Sequence, residues 1–533
     1  MKNRFYINRV GYMVGMDKTV ACTVYGRIFS VVDVRTGAYV YEGRLSQPFT
    51  DKESGDTVRI ADLSDFNVQG RYFIKVGLRR SESFDIAPFP YRILREKVMD
   101  AVYLSRCGCE TDHPDLPQFA HGPCHTEAVT YEGRTFDVGG GWHTGGDYSK
   151  SVPGTCIVIA DMLYSLMIFP YAFDKTLRKR MEVECFHGLE FITKMQAEDG
   201  GVYDSVRTDA AVNVTAPADD ANKYHLTDKS AVATLRFAAV CALASRYYAA
   251  DLPLSRKLAS AAQTAWLYML ESEEYQYYKS KFGDISDEPD GVYTLSSEFM
   301  WAACELYSLT GGSRFAELID KKYTGCLFSG FGDRFTGGYA ALAYMLTDKP
   351  KKDYILSFIR MRWTYRGDRL WVARCSSGYH SCASAGGDYH YGSNIRILGN
   401  IRMAELAFMI TGDRRYLTVS TDSLSYLMGV NPMGTAFMTD NRNGFCRNPA
   451  HAASMAAEGD ICLPGLMVCG ADQERSDPYV RWNIENGTPP SKCYADSPFS
   501  LSTNEPGLNI SSPLFFISAF YDSMEHNAFN VLS

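Results

Sequence analysis

Along residues 1–88, apolar and polar positions alternate in short runs. Thr19–Tyr25, Ile28–Val34, Tyr39–Tyr41 and Gly70–Val76 are rich in β-branched and aromatic side chains, and turn-forming residues separate them at Gly26, Thr36-Gly37, Ser54-Gly55 and Gly70. Short strands punctuated in this way predict a β-sandwich. The segment Ala87-Pro88-Phe89-Pro90 then reads as a linker, because each proline removes a backbone donor and turns the residue before it away from helix. From residue 92 the period changes. In Asp228–Ala250 the residues Val232, Leu235, Ala239, Leu243 and Tyr247 recur at spacings of three and four, which places them on one helical face. Ser297–Thr310 and Arg396–Ile410 behave alike, the latter with Ile397, Ile401, Ala404 and Phe408 along one side. Gly311-Gly312 and Gly412 are natural helix stops. No internal sequence repeat is visible. The pattern predicts a multidomain chain, β followed by all-α: a sandwich over 1–88 and a large helical domain over 92–533. Periodicity leaves a helical barrel, a toroid and a solenoid open.

Composition narrows the partners. The 533 residues are 46% hydrophobic and 22% charged, which is a soluble globular balance. A net charge of −8 argues against nucleic acid and acidic membrane surfaces. The most apolar run, Val158–Pro170, is interrupted by Asp161 and too short to cross a bilayer. The opening residues show no apolar export segment, and the fifteen cysteines are scattered and odd in number. Reduced thiols in a cytoplasmic protein are therefore expected. The 35 tyrosines serve either packing or flat platforms for sugar rings.

Two short segments suggest chemistry. Gly139-Gly140-Gly141-Trp142-His143-Thr144-Gly145-Gly146-Asp147-Tyr148 combines a pliable, close-approach backbone with an aromatic and a carboxylate. That suits an ordinary loop or a sugar subsite. Near the C-terminus, Thr503-Asn504-Glu505 offers a second carboxylate. Glycosidic hydrolysis needs two, one to donate a proton and one to act as base or nucleophile.

These segments are blocks of a longer resemblance. Gly140-Gly141-Trp142-His143-Thr144-Gly145-Gly146-Asp147 resembles the Gly-Gly-Trp-His-Asp-Ala-Gly-Asp of glycoside hydrolase family 9, the cellulase family with an N-terminal immunoglobulin-like domain and an (α/α)6 barrel. Ile7-Asn8-Arg9-Val10-Gly11-Tyr12 and Phe84-Asp85-Ile86 are similar to the first and last strands of that N-terminal domain. Tyr391-Gly392-Ser393-Asn394 resembles the family's Trp-Gly-Ser-Asn, and Tyr426–Pro432 its Tyr-Leu-Leu-Gly-Arg-Asn-Pro. The blocks run in order over nearly the whole chain. The resemblance implies an inverting hydrolase of β-1,4-linked glucans or short oligosaccharides, of cellulase or β-glucosidase type. Asp147 would be the general base and Glu505 the general acid, holding its proton near neutral pH. Inversion needs the two carboxyls roughly 6.5–9.5 Å apart, so that a water fits between. The lack of an export segment points to short, imported substrates. Trp142, Thr144, Tyr391 and His451 are the expected substrate-binding residues.

Cys107, Cys124, His125 and His143 supply two thiolates and two imidazoles, a full tetrahedral zinc set, and they resemble the structural zinc site of family members with this N-terminal domain. Cys109, His113 and His121 lie nearby as substitutes. The family also implies calcium, whose carbonyl ligands leave no residue signature. Several site positions depart from the family. Thr144 stands where the family has the Asp that helps to hold the nucleophilic water, and Asn448-Pro449-Ala450-His451-Ala452 keeps only His451 of Pro-His-His-Arg. Gly-Gly-Pro-Asn becomes Cys469-Gly470-Ala471-Asp472, and Asp388 and His390 flank Tyr391. The alternative expectation is a barrel that binds carbohydrate and cleaves it poorly or not at all.

Overall fold

Short alternating runs pair into sheets because successive side chains point to opposite faces and one face can be buried. In the computed structural model, which describes residues 4–210, 214–273, 276, 295–325, 328–332, 335–383 and 389–524, the N-terminal segment forms β1 (Phe5–Tyr6), β2 (Tyr12–Met13), β3 (Thr19–Cys22), β4 (Ile28–Asp33), β5 (Tyr39–Arg44), β6 (Phe49–Thr50), β7 (Thr57–Asp62), β8 (Gly70–Val76), β9 (Arg79–Arg80) and β10 (Phe84–Ala87). One sheet has the order β1-β3-β7-β6 and the other β2-β10-β8-β4-β5, with β9 on β8. The inward residues of both sheets make one core, including Val20, Phe29, Val31, Tyr72, Ile74 and Ile86. Strand β7, with its buried Val58, Ile60 and Ala61, lay outside the runs read from sequence.

The described residues divide into two compact units, one within 4–98 and 366–524 and one within 99–365. In the first unit the sandwich is fastened to C-terminal helical segments. Arg9 N–H donates to Met428 O at 2.8 Å, Thr19 Oγ1 to Asp422 Oδ1 at 3.0 Å, and Gly378 N–H to Asp51 Oδ1 at 2.8 Å. Ser393–Thr411 packs on Arg414–Leu427 and on Pro513–Ser523. A four-stranded sheet takes in Ala436–Thr439, Phe445–Cys446, Met467–Val468 and Pro506–Gly507.

The second unit alternates two kinds of helix. Val152–Ile168, Ala231–Tyr247, Ser296–Thr310 and Gly337–Leu346 pack in succession. Lys175–Lys194 and Ser313–Lys322 each lie against one of them, Leu252–Glu271 lies against Ala231–Tyr247 and also touches Ser296–Thr310, and each buries a single stripe, such as Phe315 and Ile319 in Ser313–Lys322. The helices of the first kind are enclosed on all sides. This corrects the single apolar face expected for Asp228–Ala250 and for Ser297–Thr310. Thr234, Cys241 and Ser245, opposite the apolar stripe, are buried as well, because small side chains let neighbouring helices close in. Gly311 and Gly412 end their helices at φ +65° and +70°, the left-handed conformation that favours glycine at a helix end. Among the described residues every cysteine is a free thiol, and no helix is long and apolar enough to cross a membrane.

Candidate active site and metal centre

The glycine-rich segment lies against the helix Lys175–Lys194. Gly141, at φ +73°, lets the backbone run close over Phe191, and its carbonyl bonds to His187 Nε2 at 2.9 Å. The ring of Trp142 fills the space left by Gly188, where a β-carbon would sit 2.5 Å from the indole. Its Nε1–H donates to Glu184 Oε2 at 3.0 Å, and Glu184 is held in a fork by Arg106 at 2.7 and 3.1 Å. Trp142 is wholly buried. The expectation that Trp142 binds substrate is corrected: the buried ring anchors the loop to the helix. Thr144 is also buried, and its hydroxyl donates to Ser149 O at 3.3 Å and accepts from Ser151 N–H at 3.1 Å, which closes the turn. Inside that turn Asp147 stays half-buried. Ser149 N–H donates to Asp147 Oδ1 at 3.0 Å and Ser149 Oγ to Oδ2 at 2.8 Å, which fixes the carboxylate plane.

The same loop brings His143 to Cys107, Cys124 and His125, with one donor atom of each residue within 4.8 Å of the others. Donor-set chemistry and spacing both suit zinc. A tetrahedron with Zn–N of about 2.05 Å and Zn–S of about 2.3 Å has edges of roughly 3.3 Å between nitrogens and 3.6 Å between nitrogen and sulfur. The distances are 3.3 Å for His143 Nε2 to His125 Nδ1, 3.8 Å for Cys124 Sγ to His143 Nε2, and 4.0 Å for Cys107 Sγ to His125 Nδ1. Without a metal, the Cys107 thiol is driven well below its ordinary range by a hydrogen bond from the Cys124 thiol and by those from the two imidazoles, against burial. The neighbouring sulfur pushes Cys124 up in turn. The buried Lys150 ammonium donates to Cys107 Sγ at 3.4 Å and to the carbonyls of Val138 and Gly140.

In the other unit, blocks far apart in sequence converge on Glu505. The strand Pro506–Gly507 pairs antiparallel with Met467–Val468. Cys469 N–H then donates to Glu505 O at 3.1 Å and Gly470 N–H to Thr503 O at 2.8 Å. Asn394 closes on the same strand, with Nδ2 donating to Val468 O at 2.9 Å. Gly470, at φ +93°, leaves room for the Asn394 amide. Tyr391 is 48% exposed, and its hydroxyl donates to Glu505 Oε2 at 2.8 Å. Burial and the neighbouring Glu505 push the Tyr391 phenol well above its ordinary range, so it remains a donor. His451 is buried and caps the helix Ala452–Ala456 through Ser454 N–H, with Nδ1 2.8 Å from Ser454 Oγ. His390 Nδ1 turns back to the Tyr391 carbonyl at 2.9 Å. Asp388 lies outside the described residues.

Sequence reasoning missed Asp496. It ties the two loops of this cluster together, accepting from Arg447 N–H at 3.1 Å, Asn448 N–H at 2.9 Å and Asn504 Nδ2 at 3.2 Å. Asn504 also accepts from Tyr494 Oη at 2.7 Å, and its carbonyl accepts Ala450 N–H at 3.0 Å. The available signal was a carboxylate nine residues before Glu505.

Known proteins share this architecture over its full length. A metagenome-derived family 9 endoglucanase superimposes with a TM-score of 0.88 at 26% identity, covering 98% of this chain and 99% of its own. A zinc-binding triple mutant of the family 9 endoglucanase J30 does so at 0.85 and 28% identity, covering 96% and 99%. A cellodextrinase of Butyrivibrio fibrisolvens is 27% identical over 96% of this chain and 98% of its own. With its helical scaffold and ordered carboxylates, the protein is thus a glycosidase, a hydrolase of O-glycosyl bonds. The profile of glycosyl hydrolase family 9 matches residues 91–518, and that of the cellulase N-terminal ig-like domain matches residues 1–81. The chain belongs to glycosyl hydrolase family 9.

Proposed function

We propose that this protein is an inverting glycosidase of β-1,4-linked glucans, acting on short oligosaccharides, with Glu505 as general acid and Asp147 as general base. The observation that carries the reading is the Tyr391–Glu505 pair. A carboxyl group held by a phenol on a half-exposed ring can meet a glycosidic oxygen while the ring lies against sugar. Short substrates are favoured because a cellodextrinase matches end to end. The alternation of enclosed and single-stripe helices supports an (α/α)6 barrel. Zinc at Cys107, Cys124, His125 and His143 is structural in this reading. Four protein donors leave no open position, so the ion supplies cross-linking and no chemistry of its own.

In turnover, Asp147 takes a proton from water while Glu505 gives one to the leaving oxygen. Ser149 sets the angle of the base, and Tyr391 sets that of the acid. The experiment is hydrolysis of cello-oligosaccharides by wild type and Glu505→Gln, with binding followed by calorimetry. The reading expects no turnover and retained binding in the variant, and wild-type rates there would sink it. One observation favours weaker catalysis: the Thr144 hydroxyl is spent on the turn, which leaves Asp147 without a second water-holding group from that position. A large gain on Thr144→Asp would identify a weakened enzyme, and no gain beside strong native activity would identify altered specificity.

A further inference from the structure

Outside the four candidate ligands, one buried carboxylate faces the metal centre from a distant part of the chain. Asp220 has a side chain with no exposed surface, and its Oδ2 lies 3.2 Å from His125 Nε2. Tyr224 Oη donates to the same oxygen at 2.8 Å, and Asn222 N–H donates to Oδ1 at 3.2 Å. His125 itself sits at φ +48°, a conformation a non-glycine side chain adopts only when its surroundings hold it there. Its Nδ1 faces His143 Nε2 and Cys107 Sγ, so its two ring nitrogens point opposite ways, one to the donor cluster and one to Asp220. The ring is walled by Tyr224 at 4.7 Å and Tyr148 at 5.5 Å between centroids, and Tyr148 neighbours Asp147 in sequence.

We infer that Asp220 is the positioning carboxylate of the metal centre, with Tyr224 holding it in place. The inference rests on the zinc reading above. Accepting the Nε2 proton fixes the imidazole as the tautomer whose Nδ1 lone pair is free for the metal, and makes that nitrogen a better donor. It also makes the loop Pro217–Tyr224 part of the metal module. An ion held by residues 107–143 then orders a segment some eighty residues further on, through one shared ring.

The test is metal retention by the full-length protein. Zinc content is measured first, and zinc affinity is then read by chelator competition for wild type, Asp220→Asn and Tyr224→Phe. Cobalt(II)-substituted samples report ligand geometry through their d–d absorption. Loss of the outer carboxylate should weaken metal binding about 10- to 100-fold. Tyr224→Phe should give a smaller loss of the same sign, and Asp220→Glu partial recovery. Asp220→Asn keeps volume and hydrogen-bonding capacity, so a folded variant is expected, and Tyr224→Phe reads the same link if it fails to fold. Wild-type affinity and an unchanged cobalt spectrum in Asp220→Asn would overturn the inference while leaving the zinc reading intact. A wild type that binds no zinc, matching Cys107→Ser, would overturn both.

Discussion

Replacing Trp142 with Phe separates two roles that sequence alone leaves open, a platform for sugar and an anchor for the loop that carries Asp147. The ring is wholly buried and its N–H meets a carboxylate that is itself buried and charge-paired. Losing a hydrogen bond to a charged group costs about 1.5–3 kcal/mol. Shrinking the ring leaves a void of roughly 40 Å³, worth about 1 kcal/mol at 24 cal/mol per Å³. The sum, about 3 kcal/mol, corresponds to a fall of about 3 °C in the midpoint, at roughly 1 °C per kcal/mol for a protein of 533 residues. Scanning calorimetry and oligosaccharide kinetics on the same samples form the assay. The expected result is a lowered Tm with KM changed less than about twofold, since the ring touches no solvent. Gly188→Ala, which drives a methyl into the indole, should lower Tm likewise. An unchanged Tm with a several-fold higher KM would refute the anchoring role.

Tyr391→Phe keeps the exposed ring and removes the hydroxyl on Glu505. With Glu505 protonated as the general acid, a neutral hydrogen bond of about 0.5–1.5 kcal/mol predicts a kcat roughly two- to tenfold lower with Tm unchanged, read by steady-state kinetics. Asp422 predicts an acid limit to stability. Burial raises its pKa, but the hydrogen bond from His380 and the charge of Arg374 outweigh burial and hold it below the usual carboxylate range. Its contribution is therefore complete above the unfolded value near 4 and is lost as pH falls through the folded value. Melting curves of Asp422→Asn between about pH 2 and 7 should start lower at neutral pH and converge with wild type in acid. Parallel curves would contradict this.

Strands β4 and β8 and the glycine helix ends were legible because their cause is local: a period of two, or a residue that tolerates positive φ. The enclosed helices were less so, since a sequence period reports one apolar stripe and not which small residues a neighbour will cover. At the site, the four metal-directed residues stood out by chemical type, and they do converge. Trp142 misled because an aromatic beside glycines reads the same whether it faces sugar or a helix. Its partner Glu184 lies forty-two residues away. Asp496 and Asp220 went unseen for a related reason. An ordinary aspartate acquires a role only from what the fold sets against it, here two loops in one case and an imidazole in the other.

The central claim, single-displacement hydrolysis by an acid and a base, is tested most directly by the configuration of the first product. Proton NMR of fresh wild-type digests of a β-1,4-linked cello-oligosaccharide, with Glu505→Gln alongside, resolves the two anomers before they equilibrate. The account predicts the α-anomer first with wild type and no product with the variant. The β-anomer appearing first, or product formed at the wild-type rate by Glu505→Gln, would contradict it.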